Sequence, residues 1–299
     1  MQTFPSFLVG LSLGPDDPAL LAHVAALAAR MGTERIHLVH VLPDGAEPGF
    51  RPSLEHETEE LLWRAAKELS PLPCTIDVLC GDVAVRLLQQ AVAVDADVLC
   101  IGRRGGRRLD GLGASAGSIV RKSPCSVLLV PRDAPVDLGR LLVPVDFSDR
   151  SRAALEVGLM LSQAQENGAA LAVHAYELPL GWQRSGGDEA SWCERAEAAA
   201  RVAWAEMTAE MTLGEFTRLR VVRDPTSHLG TAPHGPTLLR AIEEERPGMV
   251  ITSSRGRTVG ARLLLGSVAA RLVDGGNHPF LVLKTKGETL SILEALRII

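Results

Sequence analysis

An internal repeat constrains this chain more than any other feature. The stretch that begins at Phe7, FLVGLSLGPDDPALLAHVAALAARMGTERIHLVHVLP, returns at Arg140 as RLLVPVDFSDRSRAALEVGLMLSQAQENGAALAVHAYELP, with His40 and His174 in matching places. A second pair of blocks recurs in the same order: ADVLCIGRRG and SPCSVLLVP in the first half, GMVITSSRG and NHPFLVLK in the second. With 299 residues in all, each half has the length of one ordinary domain, so the chain reads as one architecture used twice.

Short apolar, β-branched runs, such as Arg35 to Leu42, Thr75 to Leu79, Val98 to Gly102 and Val127 to Val130, predict strands. Ala-, Leu- and Glu-rich segments with helical spacing, such as Pro18 to Met31 and Ser151 to Gln165, lie between such runs. Strands that alternate with helices in this way pair in parallel through crossover helices. The expected class is α/β: two repeated doubly wound domains, each with a mainly five-stranded parallel sheet and helices on both faces. The stretch RDAPVDLG, Arg132 to Gly139, interrupts the pattern between a last strand and a new first one. The expected division is residues 1–136, residues 137–286 and a helical tail over 287–299. That tail, GETLSILEALRII, has six aliphatic residues that need burial within the chain or against a partner.

Composition narrows the function. A formal net charge of −5 gives no broad basic field, which speaks against general nucleic-acid binding, so any anion site must be local. Five cysteines without a C-x-x-C pair read as reduced core residues of a cytosolic protein. No apolar run approaches the ~18 residues of a membrane span, and the N-terminus lacks a basic start followed by a long apolar core. The expectation is a cytoplasmic protein with no membrane contact.

In open parallel sheets ligands bind beyond the carboxyl ends of the strands. In the second half the strand LLVPV is followed by Asp146, whose carboxylate can accept hydrogen bonds from a ribose or an adenine amino group, hold a metal ion near phosphates, or help cap the next helix. The run SSRGRTVGARLLLGSVAARLV sets Ser253, Gly256, Gly266 and Ser267 at spacings of two and nine intervening residues. Glycines let backbone amides approach phosphate oxygens, a helix opening at Ser267 offers free N–H groups, and Arg255, Arg257 and Arg262 add local positive charge. A plain strand-to-helix connection is the alternative reading of the same run.

With both halves in view, the chain resembles a tandem member of the universal stress protein family, whose nucleotide-binding members carry G-2x-G-9x-G-(S/T) and an Asp after the first strand. The resemblance implies an adenine nucleotide alpha hydrolase-like fold with dimer-like pairing of the halves. It implies ATP, ADP or AMP as ligand, with or without Mg2+, at Pro144, Val145, Asp146, Ala175, Ser253, Arg255, Gly256, Gly266, Ser267 and Val268. Ser253 stands where the family has its first glycine. In the first half Ser12 replaces the Asp, the spacing in GRRGGRRLDGLGASAGS shrinks to seven, and Ala114 follows Gly113, leaving Ser115 one place late. A degenerate site at Ser12, Val41, Gly102, Gly105, Gly113 and Ser115 is expected, with Arg103, Arg104, Arg107 and Arg108 as an anion-holding or merely solvated rim.

Other signals are weaker. RSGGDEAS at Arg184 to Ser191 resembles a pyrophosphatase loop but has its Asp one place early and no strand before it. No Walker GK[ST] ending is present, and no dedicated general base is visible. Asp224, His228 and His234 lie in a loop whose spacing compels no metal, and a lid over the neighbouring pocket is the expected role. The expected function is regulatory adenine-nucleotide binding in a stress response, with an unidentified protein or a second copy of the chain as partner. A slow nucleotide hydrolase, at most a weak ATPase, and a ligand-free interaction scaffold are the alternatives.

Overall fold

The computed structural model describes residues 3–44, 51–103, 112–179, 181–184, 188–225, 234–254 and 265–286. The expected helical tail, Arg255, Gly256, Arg257, Arg262, Arg104, Gly105, Arg107, Arg108 and His228 lie outside them. The first repeat runs β1 (Ser6–Gly10), α1 (Asp17–Ala28), β2 (Arg35–Leu42), α2 (Arg51–Glu68), β3 (Cys74–Cys80), α3 (Val83–Ala93), β4 (Val98–Arg103), α4 (Ala114–Lys122) and β5 (Ser126–Pro131). The second runs β6 (Arg140–Pro144), α5 (Asp149–Ser162), β7 (Ala169–Tyr176), α6 (Glu189–Thr208), β8 (Arg218–Arg223), α7 (Gly235–Glu245), β9 (Met249–Ser253), α8 (Ser267–Gly275) and β10 (Phe280–Leu283). Among the described residues each repeat therefore alternates strands with α-helices, the α/β order read from the sequence.

The strands do not divide five and five between the compact units. One unit spans Asp137–Gly276 and holds the strand order β9-β6-β7-β8, all parallel. The other spans Met1–Val136, holds β3-β2-β1-β4-β5 in parallel, and takes in β10 as an antiparallel neighbour of β5. The sequence repeat thus continues past the point where the second unit closes. A fully apolar strand, FLVL, finds its pairing on β5, with Phe280 opposite Leu129 and Val282 opposite Val127. Two lysines fasten it. Lys284, buried, donates from Nζ to the carbonyls of Ser123 at 2.9 Å and Arg121 at 3.3 Å, at the carbonyl end of α4 where a cation suits the helix dipole. Lys286 reaches Asp97 at 2.8 Å, and Asp97 in turn accepts the Ser6 N–H at 2.9 Å.

Central strands are apolar without alternation because both faces are covered. All six residues of β5 are buried, and Phe7, Leu8 and Val9 of β1 have no exposed surface. In the second unit the faces can be assigned. Gly158 of α5 faces Val143 and Ala170, whereas Arg220, which lies opposite Val173, reaches Glu244 and Glu245 of α7. Neighbouring positions on a strand point to opposite faces, so α5 and α7 cover opposite faces. Edge strand β8 is half exposed and carries its arginines in ion pairs, which discourages further strand addition. Among the described residues no helix is long and apolar enough to cross a membrane. All five cysteines are free; burial raises the Cys100 thiol well up and the Cys125 thiol to about 11, so both stay protonated.

A histidine stands among the buried residues of α1. His23 of α1, at the place Val157 occupies in α5, is fully buried; its Nδ1 lies 2.8 Å from the Ala19 carbonyl and its Nε2 has no hydrogen-bond partner among the described residues. Burial holds its pKa below the ordinary value. The unfolded chain therefore takes up the proton more readily, so this contribution to stability is complete above the unfolded pKa of about 6.5 and is lost as pH falls toward the folded value. Urea unfolding between pH 7.5 and 5 is expected to show a slope of up to about 1.4 kcal/mol per pH unit from this residue, absent in His23→Val. An unchanged slope in that variant would assign the acid sensitivity elsewhere.

Candidate functional site

In the second unit the sheet reverses direction of growth at β6: β7 and β8 extend one way and β9 the other. The crevice at such a switch point, beyond the strands' carboxyl ends, is where α/β sheets bind ligands. Register sets what lines it. Pro144 pairs with Val173 and the Val145 N–H donates to the Val173 carbonyl at 2.9 Å, so Asp146 leaves the sheet level with Ala175. His174 fixes this rim, with Nδ1 2.9 Å from the Val145 carbonyl and its ring 4.4 Å from that of Phe147. Phe147 has φ +61°, a conformation that a bulky residue holds only where its surroundings enforce it. Tyr176, next to Ala175, is buried and its phenol is pushed up to about 12 by that burial and by Cys193, so it stays neutral.

Asp146 has a structural duty in this turn. Its Oδ1 accepts the Ser148 N–H at 3.1 Å and the Ser148 hydroxyl at 2.5 Å. The cap of α5 itself is made by Ser148 and Ser151, each side chain bonding the other's backbone N–H. Asp146 therefore shapes the approach to α5 rather than capping it, and a carboxylate has lone pairs for more than these two bonds.

On the other side of the crevice β9 ends at Ser253, half-buried, and the chain returns at Leu265. The Gly266 N–H donates to the Ser254 carbonyl at 2.6 Å, which sets the start of α8 beside the end of β9. Gly266 is the N-cap and has no side chain to satisfy the first turn, so the amides of Ser267 and Val268 lack an intrahelical acceptor. The Ser267 side chain is exposed. Asp146, Ala175 and Ser253 thus stand at the carboxyl ends of β6, β7 and β9, with Gly266, Ser267 and Val268 at the start of α8.

The first unit has the same frame with altered chemistry. The Leu11 N–H donates to the Val39 carbonyl at 2.9 Å, His40 Nδ1 lies 2.8 Å from the Leu11 carbonyl, and Leu13 has φ +54°. Ser12 corresponds to Asp146, Leu13 to Phe147 and Val41 to Ala175. The acid has not vanished. It has exchanged places with a hydroxyl: Ser12 with Asp17 stands where the second unit has Asp146 with Ser151. Asp17 accepts the Ser12 N–H at 3.1 Å, the Ser12 hydroxyl at 3.0 Å and the Gly14 N–H at 3.3 Å, and is buried. Reading position 12 alone missed this; the pair 12 and 17 carries the signal.

Asp16, also buried, lies against Gly102 and 3.6 Å from Arg132, where the second unit has Arg150. The sign of the charge at this place is reversed. Gly113 caps α4 as Gly266 caps α8, with Ala114 and Ser115 opening the helix. The frame for an anion is present in both units, but two buried carboxylates stand inside the first.

The discounted loop contributes one more pair. Asp224, just beyond β8, has a fully buried side chain whose Oδ2 accepts the His234 N–H at 2.6 Å and lies 3.2 Å from His234 Nδ1. Among the described residues no group of three or more metal-ligating side chains forms.

The model of the universal stress protein family matches residues 3–131 and again residues 138–284. None of the curated proteins matches the chain. Two solved structures align over nearly its whole length. One is a universal stress protein of Archaeoglobus fulgidus, with TM-score 0.68 and 18% identity over 95% of this chain and 97% of that one. The other is a functionally unknown protein of Pseudomonas aeruginosa, with TM-score 0.69 and 18% identity over 99% and 97%. At such identity they establish the fold alone. The family model, matching twice and spanning most of the sequence, establishes more: the chain belongs to the universal stress protein family and carries its domain in tandem.

Proposed function

We propose that the second unit binds an adenine nucleotide, ATP, ADP or AMP, with or without Mg2+, and that occupancy regulates a stress response. One observation carries this reading. The glycine-capped start of α8 is held to the end of β9 by the Gly266 to Ser254 bond, at the same end of the sheet as Asp146 and Ala175 beyond β6 and β7. A helix start of this kind favours phosphate oxygens through its N–H groups and dipole. With the phosphates there, the ribose and base extend toward the ends of β6 and β7, where Pro144, Val145, Asp146 and the Ala175 backbone stand. Arg255 and Gly256 belong to the same proposed site by sequence. The first unit is assigned the weaker site, since Asp16 and Asp17 oppose a polyphosphate. The nucleotide controls recruitment of a protein partner or a second copy of the chain.

The test is nucleotide content and affinity. The purified protein is denatured to identify any released nucleotide, and the emptied protein is titrated with ATP. Wild type is expected to bind one equivalent, and Asp146→Ala to bind about 10- to 100-fold more weakly, the loss of a charged hydrogen bond worth ~1.5–3 kcal/mol. Wild-type protein that neither contains nor binds nucleotide overturns the proposal and leaves the interaction scaffold.

A further inference from the structure

Universal stress proteins of this reading need only bind; the pair Asp224 and His234 offers chemistry as well. A carboxylate is costly to bury without strong partners. Asp224 spends one oxygen on His234 twice, at the backbone N–H and at Nδ1, while its own N–H donates to the Tyr176 carbonyl at 2.7 Å. With Nδ1–H donated to Asp224, the imidazole is held in the tautomer that leaves Nε2 as an acceptor. Nε2 has no hydrogen-bond partner among the described residues, and the side chain is 28% exposed. A buried carboxylate that orients a histidine with an open second nitrogen is the arrangement that general bases use.

Position brings this pair to the crevice. Arg223 lies opposite Tyr176 in the β7 and β8 register, so Asp224 stands on the same rim as Asp146, two strands or about 10 Å across the sheet. His234 precedes α7, and α7 packs on α8. A Cβ on Gly235 would stand 2.7 Å from Cγ of Arg271, and Arg271 lies one turn, about 6 Å, beyond Ser267. The His234 backbone is therefore on the order of 10 Å from the first turn of α8. His234 also holds φ +74°, a left-handed conformation that places the ring against Asp224.

We propose that His234, positioned by Asp224, is the general base for attack of water on the terminal phosphoryl group of a nucleoside triphosphate bound in the second unit. The water oxygen forms a bond to phosphorus as Nε2 takes its proton. The bond from phosphorus to the bridging oxygen breaks, and the bridging oxygen leaves with the electron pair on the nucleoside diphosphate. Inorganic phosphate forms, and the imidazolium returns its proton to solvent. His234 is the catalytic residue and Asp224 a positioning residue.

The inference rests on the nucleotide site proposed above, and the experiment separates the two. ATP affinity and single-turnover phosphate release are measured on the full chain for wild type, His234→Gly and Asp224→Asn. Glycine accepts φ +74° and leaves a space for free imidazole. Asparagine can still accept the His234 N–H but cannot hold the same tautomer. Both variants are expected to bind ATP within about twofold of wild type and to release phosphate 10²- to 10⁴-fold more slowly, a range of roughly the size that general base catalysis supplies. Added imidazole should restore His234→Gly and not Asp224→Asn. Release at the wild-type rate in His234→Gly, or restoration absent at saturating imidazole, overturns the assignment. Wild type that binds ATP and releases no phosphate overturns it while the binding site stands; wild type that binds no ATP overturns both.

Discussion

Gly266→Glu is expected to abolish nucleotide binding and leave the fold standing. The N-cap glycine has φ −64° and ψ 151°, which any residue can adopt, and its N–H bond to Ser254 survives substitution. The change therefore acts on charge and space. A carboxylate about 4 Å from a phosphoryl charge costs roughly 4 kcal/mol at an effective dielectric near 20, about a thousandfold in affinity for one charge pair and more for a triphosphate. Titration with ATP and AMP in parallel checks the cause: repulsion predicts a larger loss for ATP. An unfolding midpoint within a few degrees of wild type confirms that the loss is local. Equal ATP affinity in this variant would remove α8 from the site.

Gly248→Val is expected to undo the second unit. A Cβ at Gly248 would stand 2.0 Å from the Asp137 carbonyl oxygen and 2.5 Å from Asp137 Cβ, and the obstacle is backbone, which cannot turn aside like a side chain. Neither strand is free to yield. The Gly248 N–H donates to the Arg140 carbonyl at 2.8 Å, while Asp137 accepts the N–H groups of Gly139 and Arg140. Relief requires parting β9 from β6 where Leu141 pairs with Met249 and Leu142 with Val250. A loss of more than ~4 kcal/mol is expected, with a thermal midpoint lower by about 10 °C or more. Loss of ATP binding should accompany it, since Asp146 and Ser253 end these two strands. A midpoint unchanged within about 2 °C would show that the two strand entries can separate at little cost.

The two largest effects thus fall on glycines that the sequence treats differently. Gly266 is legible as part of a spaced motif; Gly248 sits in a plain EERPGMV stretch, and only the approach of Asp137 from over a hundred residues upstream gives it weight. The same contrast separates the crevice residues. Asp146, Ala175 and Ser267 were expected at strand and helix ends, because parallel α/β topology sends all such ends to one rim. Asp17 was not, because its meaning depends on three donors from Ser12 and Gly14 folding back on it. The sequence offers His234 as a metal ligand or as part of a lid, since nine intervening residues hide its contact with Asp224.

The sequence by itself determined the class of fold, the doubling of the domain and the chemistry at the strand ends. Hydrophobic period, turn residues and motif spacing are local properties, and the order of strands and helices follows from them. Tertiary structure alone decided the rest. It gave β10 to the first unit, because FLVL pairs with β5 and the two lysines that follow it find acceptors there, Lys284 at the end of α4 and Lys286 at Asp97. It turned Asp17 inward and joined Asp224 to His234, because a carboxylate leaving water takes the nearest donors, and which donors are nearest is fixed by packing across long separations in sequence.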